Sequence, residues 1–320
     1  MKKFIAISVL SAIILMSVSS HAQQISRRTQ FAINTFMVNP AVAGTQNYSP
    51  FFASYRNQWA GFKGAPTTIL ASGHTGLAHG LGVGAILYND NSGGAISESG
   101  AELTGAYRID LNNYDAVSFG LSLNAAQYKF DNSLLVVQDP TDQALNGMQA
   151  ESHMNFDATF GFLIFGEQYY AGFSIPQLFQ SQLNLESEVQ GGDNTNVRHF
   201  QLMGSYRYYI NNTWDLQTSG FMRFTTYTPA QLDLNFRLNY NGAAWGGFTY
   251  RHKDAVAFMF GGIWNNFALG YSYDITMTDA RVLSPHTHEI LLGYYLERKS
   301  GKFRSNSLGP RRLDRGKVVN

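Results

Sequence analysis

The sequence predicts an all-β fold, a closed transmembrane antiparallel barrel of about 14 strands. Three observations predict it. The run from Gln231 to Tyr240 alternates along its whole length. Leu232, Leu234, Phe236, Leu238 and Tyr240 fall on one side, and Gln231, Asp233, Asn235, Arg237 and Asn239 on the other. Successive strand side chains point to opposite faces, so this is a strand with one apolar wall and one wet wall. The chain also opens like a secretory signal, with Lys2 and Lys3, an apolar run from Phe4 to Val18, and Ser20-His21-Ala22 ahead of Gln23. Finally, no later apolar run reaches the roughly 18 residues that a spanning helix requires. A membrane role must therefore rest on strands, closed so that no backbone edge faces lipid.

Composition agrees. Aromatics make up 14% and charged residues only 14%, the mixture expected of a wall with lipid on one side and water on the other. The absence of cysteine excludes disulfides and thiolate metal sites. A net charge of +1 supplies no field for nucleic acid, which is not expected as a partner.

The elements follow in order. Residues 1–22 are the signal and 23–47 an N-terminal periplasmic or plug segment, in which Asn39-Pro40-Ala41 and Ala43-Gly44 read as a turn into the barrel. This segment either occludes the barrel from below or rests on its rim. The barrel occupies 48–296, with strands near 49–59, 68–77, 80–88, 98–109, 115–127, 155–165, 169–178, 197–210, 214–225, 230–240, 243–250, 255–263, 267–275 and 286–296. Most are near the roughly 9 to 11 residues a tilted membrane strand needs. Even strands are followed by compact turns, namely Ala78-His79, 111–114, Glu167-Gln168, 211–213, Asn241-Gly242 and Asn265-Asn266. Asn, Gly and Asp suit the positive φ of such hairpins. Odd strands are followed by longer links, notably 131–154, 179–196 and 276–285. Short periplasmic turns and long outer loops put both termini in the periplasm. The basic tail 297–320 lacks apolar periodicity and reads as disordered, or as folding only on a partner.

Tyr and Trp gather near strand ends, at Trp59, Tyr88, Tyr169, Tyr170, Trp214, Trp245 and Trp264, as rings at headgroup level would. Phe156, Ala158, Phe160, Phe162 and Ile164 are expected toward lipid, with Asn155, Asp157 and Thr159 inward.

Asn39-Pro40-Ala41 with Ala43-Gly44, then Arg56-x-Gln58-Trp59-x-Gly61 and Gly64-Ala65-Pro66-x-Thr68, resemble the PorP/SprF family of Bacteroidota. Gly82-x-Gly84 and Gly172-Phe173-Ser174-Ile175-Pro176 are similar to what that family carries. The resemblance spans most of the chain beyond the signal, and its specificity rests on Asn39 to Thr68. It implies a multi-pass barrel of the cell outer membrane that serves type IX secretion and gliding motility. Its partner would be a secreted surface protein, often a large adhesin, held through a C-terminal domain. Periplasmic secretion components or a lipoprotein are further partners that it implies.

Arg56, Gln58, Arg207, Arg223, Asp233 and Arg237 fall at positions that would face the lumen. Their guanidinium groups either grip acidic or backbone groups of an inserted peptide, or pair with Asp157, Asp233 or the barrel's own N-terminal segment. The candidate partner-binding or family-motif residues are therefore Asn39, Pro40, Arg56, Gln58, Trp59, Gly61, Gly64, Ala65, Pro66, Arg207 and Arg237.

Enzymatic signatures are missing. There is no Gly-x-Ser-x-Gly elbow, P-loop or His-Glu-x-x-His motif, and no cofactor is expected. His286-x-His288 lacks a third metal ligand because Glu289 points the other way, and Asp139, Asp142 and Glu151 lack the spacing of a calcium loop. The rival to a protein-binding barrel is a channel or transporter for small or hydrophobic solutes.

Overall fold

The computed structural model describes residues 29–131, 151–181 and 196–297, apart from 227, 283 and 285. The signal, most of the links 131–154 and 179–196, Asp139, Asp142 and the tail beyond Glu297 lie outside the described residues.

The wall is built from β1 (Tyr48–Asn57), β2 (Thr67–Gly76), β3 (Leu81–Asn91), β4 (Ile96–Asp110), β5 (Ala116–Phe130), β6 (Glu151–Phe165) and β7 (Tyr169–Ile175). It continues with β8 (His199–Tyr209), β9 (Trp214–Thr225), β10 (Gln231–Tyr240), β11 (Ala244–Arg251), β12 (Ala255–Trp264), β13 (Phe267–Thr276) and β14 (His286–Glu297). Every strand pairs antiparallel with its sequence neighbours, and β1 pairs with β14, so the sheet closes on itself. Closure gives every strand two partners and leaves no backbone edge for lipid to meet.

Alternation sets which residues meet lipid. On β10, Leu232, Phe236, Leu238 and Tyr240 are exposed outward, while Asp233, Asn235 and Arg237 are buried inward. Cross-strand aromatic pairs such as Phe236 with Phe248 and Phe267 with Tyr294 reinforce the outer face. No helix among the described residues is long and apolar enough to cross a membrane.

The compact turns after the even strands stand where the sequence puts them. Asn241 and Gly242 have φ of 49° and 59°, the left-handed pair a tight hairpin needs. Asn112 accepts from the amides of Tyr114 and Asp115, and hydrogen bonds from Asn112 and Tyr169 hold the Asp115 carboxyl below its ordinary range. Three expectations need correction. β4, β5 and β6 each run 15 residues, longer than the expected spans, because their ladders continue past the wall into the link region. β7 is only 7 residues and stops at Ile175, before Pro176, whose missing amide ends the ladder. The link between β11 and β12 is short, 252–254, so not every odd strand leads into a long loop.

A further correction concerns the inner wall, which is not wet throughout. Leu70, Ile86, Leu163, Phe165, Met203 and Phe221 point inward and are buried. They pack in one cluster with Phe31, Ala32, Phe36, Ala41, Val42 and Ala43, residues that precede the first strand. Burial of each large side chain in that cluster contributes about 2 kcal/mol. Tyr88, Tyr170 and Trp245 belong to the inner wall as well, not to an aromatic belt. They fall near strand ends, but on the inward parity, opposite Leu70, Ser205 and Asn239 respectively. Trp264, Trp214 and Tyr169 do lie exposed at the ends of their strands.

Candidate functional site

Residues 29–45 lie inside the barrel. They form three 3-10 turns, Thr29–Ala32, Thr35–Met37 and Pro40–Val42, and touch β2, β4, β5, β6, β13 and β14, strands from both sides of the barrel. The segment rises from the short-turn end, where Gly44 lies against Gly76 and Gly82, toward the end of the longer links, where Thr29 meets Asp274 and Glu289.

At that far end Arg56 holds the cluster together. Its guanidinium reaches Asp274 at 2.9 Å, Glu289 at 3.1 Å and the Thr29 hydroxyl at 3.1 Å. The Thr29 amide donates to Glu289 at 2.9 Å and its hydroxyl to Asp274 at 2.8 Å. Arg251 joins from β11, at 3.5 Å from Asp274, 3.4 Å from Asp233 and 3.2 Å from Asp254, and also donates to Thr29 at 3.1 Å. Arg56, Arg251, Asp274 and Glu289 are all nearly sealed from solvent. Charges so placed are tolerated only when paired and hydrogen-bonded, and this cluster spends those bonds on the first turn of the inner segment. Of the two sequence readings for Arg56, pairing with the barrel's own N-terminal segment describes its contacts.

Further along, Asn34 donates to Ser72 at 2.9 Å. Asn39 caps the turn that Pro40 begins, accepting from the Ala41 amide at 2.9 Å while donating to the carbonyls of Phe162 at 3.0 Å and Phe173 at 3.1 Å. Ser174 donates to the Val38 carbonyl at 2.6 Å. Two wall glycines make this approach possible. A β-carbon on Gly161 would lie 2.1 Å from Asn39 Oδ1, and one on Gly82 would lie 2.2 Å from the Ala43 carbonyl oxygen. Asn39, Pro40, Gly44, Arg56, Gly82, Gly172 and Ser174, singled out in the sequence as separate motif pieces, thus converge on one task, seating the segment in the wall.

The rest of the motif forms the link between β1 and β2. Gln58 and Trp59, expected on a strand, lie just past it. Trp59 has a φ of 54°, and the Gln58 amide turns to the Pro66 carbonyl at 2.9 Å. Trp59 and Ala60 donate to Thr287 and to the His286 carbonyl. Gly61 and Gly64 hold φ of 95° and 82°, and Gly64 with Pro66 packs on Gly93 of the β3–β4 link. Ala65 donates to Phe62, closing the loop. None of these link residues touches Arg207 or Arg237.

Arg207 and Arg237 lie near the short-turn end. Both donate to the side-chain carbonyl of Gln217, Arg207 at 3.0 Å. Asp157, a candidate partner for an arginine, instead accepts from the Phe179 and Ala158 amides. His286 and His288 face outward against Tyr273 and Tyr271, and among the described residues no group of three or more His, Cys, Asp or Glu could hold a metal. Arg251, Asp274 and Thr29 were not singled out from the sequence. Asp274 follows Ser272 on the inward parity of β13, a signal that reveals its face but not its partners.

Comparison with known proteins adds one strong match. The model of the family described as type IX secretion system membrane protein PorP/SprF matches residues 20–294. No curated protein matches the chain. Among solved structures, a Pseudomonas aeruginosa FadL homologue aligns with 81% of this chain and 92% of its own at 9% identity and a TM-score of 0.49. The Ralstonia pickettii toluene transporter TbuX aligns with 82% and 93% at 8% identity and 0.48. The translocator domain of the autotransporter NalP from Neisseria meningitidis aligns with 92% and 97% at 9% identity and 0.38.

Proposed function

The chain belongs to the PorP/SprF family of type IX secretion system membrane proteins, and from that premise we propose that it is a non-catalytic, protein-binding barrel that assists secretion of a surface protein and holds that protein's C-terminal domain at the cell surface. It is an outer-membrane protein, and its 14 strands are the membrane-crossing elements. On this reading the short turns face the periplasm and the longer links face outward.

The observation that carries the proposal is the occupied lumen. A diffusion channel needs a continuous wet path, yet the strongest charge cluster and the largest apolar cluster inside this wall are both engaged by residues 29–45. With much of the interior committed to the chain's own segment, the surfaces left for a partner are the rims, the barrel mouths and the links, including the ordered β1–β2 link.

Purification of the tagged protein from native outer membranes in mild detergent, followed by mass spectrometry, tests this. A large surface protein retained through its C-terminal region is the expected result. A lone barrel that conducts ions steadily in planar bilayers would contradict it and favour a channel.

A further inference from the structure

The two arginines near the short-turn end are not provided for as Arg56 and Arg251 are. Arg207, Gln217 and Arg237 are directly opposite one another on three successive strands, β8, β9 and β10, and all point inward. Gln217 lends one carbonyl oxygen to both guanidinium groups. Its amide nitrogen donates to Ser205 at 3.0 Å and cannot accept, so the side chain offers the arginines no second acceptor. Asp215 is the nearest acid, with Oδ1 at 3.4 Å from Arg207 Nε, and the same oxygen also accepts from Asn239 at 2.6 Å. Arg237 makes no ion pair among the described residues, and the Nε atoms of both arginines are buried without a hydrogen-bond partner. Arg237 is 8% exposed and Arg207 5%.

Among the described residues, one Asp against two guanidinium groups leaves a single positive charge out of water. An unpaired buried charge is costly, and like charges in one row make it more so. The orphaned Nε of Arg237 gives the remedy a shape, since a guanidinium fork presents parallel donors that match a carboxylate. A dianion fits less well, because Asp215 stands beside the pair and one surplus charge calls for one negative charge. Access is from the short-turn mouth, where Asp215 and Asn239 keep partial exposure.

We propose that Arg207 and Arg237 form a binding site for a single carboxylate, presented by the C-terminus or an acidic side chain of a polypeptide that enters the short-turn mouth. The polypeptide source rests on the function proposed above; the carboxylate chemistry does not.

Saturation-transfer NMR with acetate on the folded, full mature barrel in detergent tests the chemistry. Acetate is expected to bind saturably to the native protein and at least tenfold more weakly to Arg237→Gln. Gln217→Glu guards against a variant that fails to fold. It places a carboxylate between the two arginines, so it is expected to fold at least as stably as the native protein while losing acetate binding to the same degree. Absence of a saturable signal in the native protein, or equal binding in Gln217→Glu, overturns the site. Phosphate displacing acetate as effectively as formate overturns the single-carboxylate assignment.

Mild purification of native and Gln217→Glu protein tests the source. Loss of a polypeptide from the variant supports the proposal, whereas full retention with acetate binding lost overturns the polypeptide source. Recovery of no partner from the native protein, with acetate binding intact, would instead overturn the function proposed above and leave the carboxylate site standing.

Discussion

Asp274 shows how tightly the inner segment is tied at the scale of single residues. It accepts from Arg56, Arg251 and Thr29 while almost wholly buried, so removing it takes one carboxylate from each of two buried guanidinium groups, leaving Glu289 to Arg56 and Asp233 and Asp254 to Arg251. Breaking a buried pair in this way costs about 3–5 kcal/mol. Asp274→Ala should therefore lower the stability of the refolded barrel by about that amount in urea unfolding followed by gel mobility, and a loss under about 1 kcal/mol would show that water replaces the lost partner. That Arg56, Arg207 and Arg237 face the lumen was legible, because each sits on the polar parity of an alternating strand. Their partners were not. Arg56 meets Asp274 and Glu289 from strands more than 200 residues away, and only closure of β1 on β14 brings them into reach. Parity likewise decides Tyr88, Tyr170 and Trp245, since an aromatic near a strand end can point either way and composition alone does not choose.

The hairpins were the most readable elements, because Asn and Gly announce positive φ locally. Gly242 holds a φ of 59°, so Gly242→Val should destabilise the barrel by about 1 kcal/mol or more in the same unfolding assay, with no change in partner recovery. The inner segment was the least readable. Its three short 3-10 turns carry neither a strand nor a helix period, and its many apolar residues are buried against a wall whose inward leucines and phenylalanines break the wet-face pattern. Glycines supply the missing explanation once the wall is seen. Gly161→Val would place side-chain atoms where Asn39 and Pro40 now lie, so the segment must shift. Higher single-barrel conductance than the native protein is the expected outcome, and unchanged conductance would show that the segment is held without this contact.

The whole molecule is a closed wall wrapped around its own beginning, with a family assignment to type IX secretion and an interior already occupied. The fold class, the strand number and the side of the sheet that meets lipid all followed from alternation and turn chemistry. What lies inside the barrel did not, because packing across a lumen depends on register around all 14 strands. Occupancy has a consequence for secretion. If the surface protein is held at the rims, the segment has no need to leave the lumen. Asn34 and Ser72 hydrogen-bond side chain to side chain at 2.9 Å, and the chain has no cysteine of its own, so the pair N34C and S72C gives a lock without background. The decisive measurement is disulfide formation between these two positions in outer membranes of living cells, with delivery of the surface protein scored in the same cells. Efficient cross-linking with undiminished delivery is what an occupied, rim-binding barrel predicts. Failure to cross-link, or cross-linking that stops delivery, would contradict it.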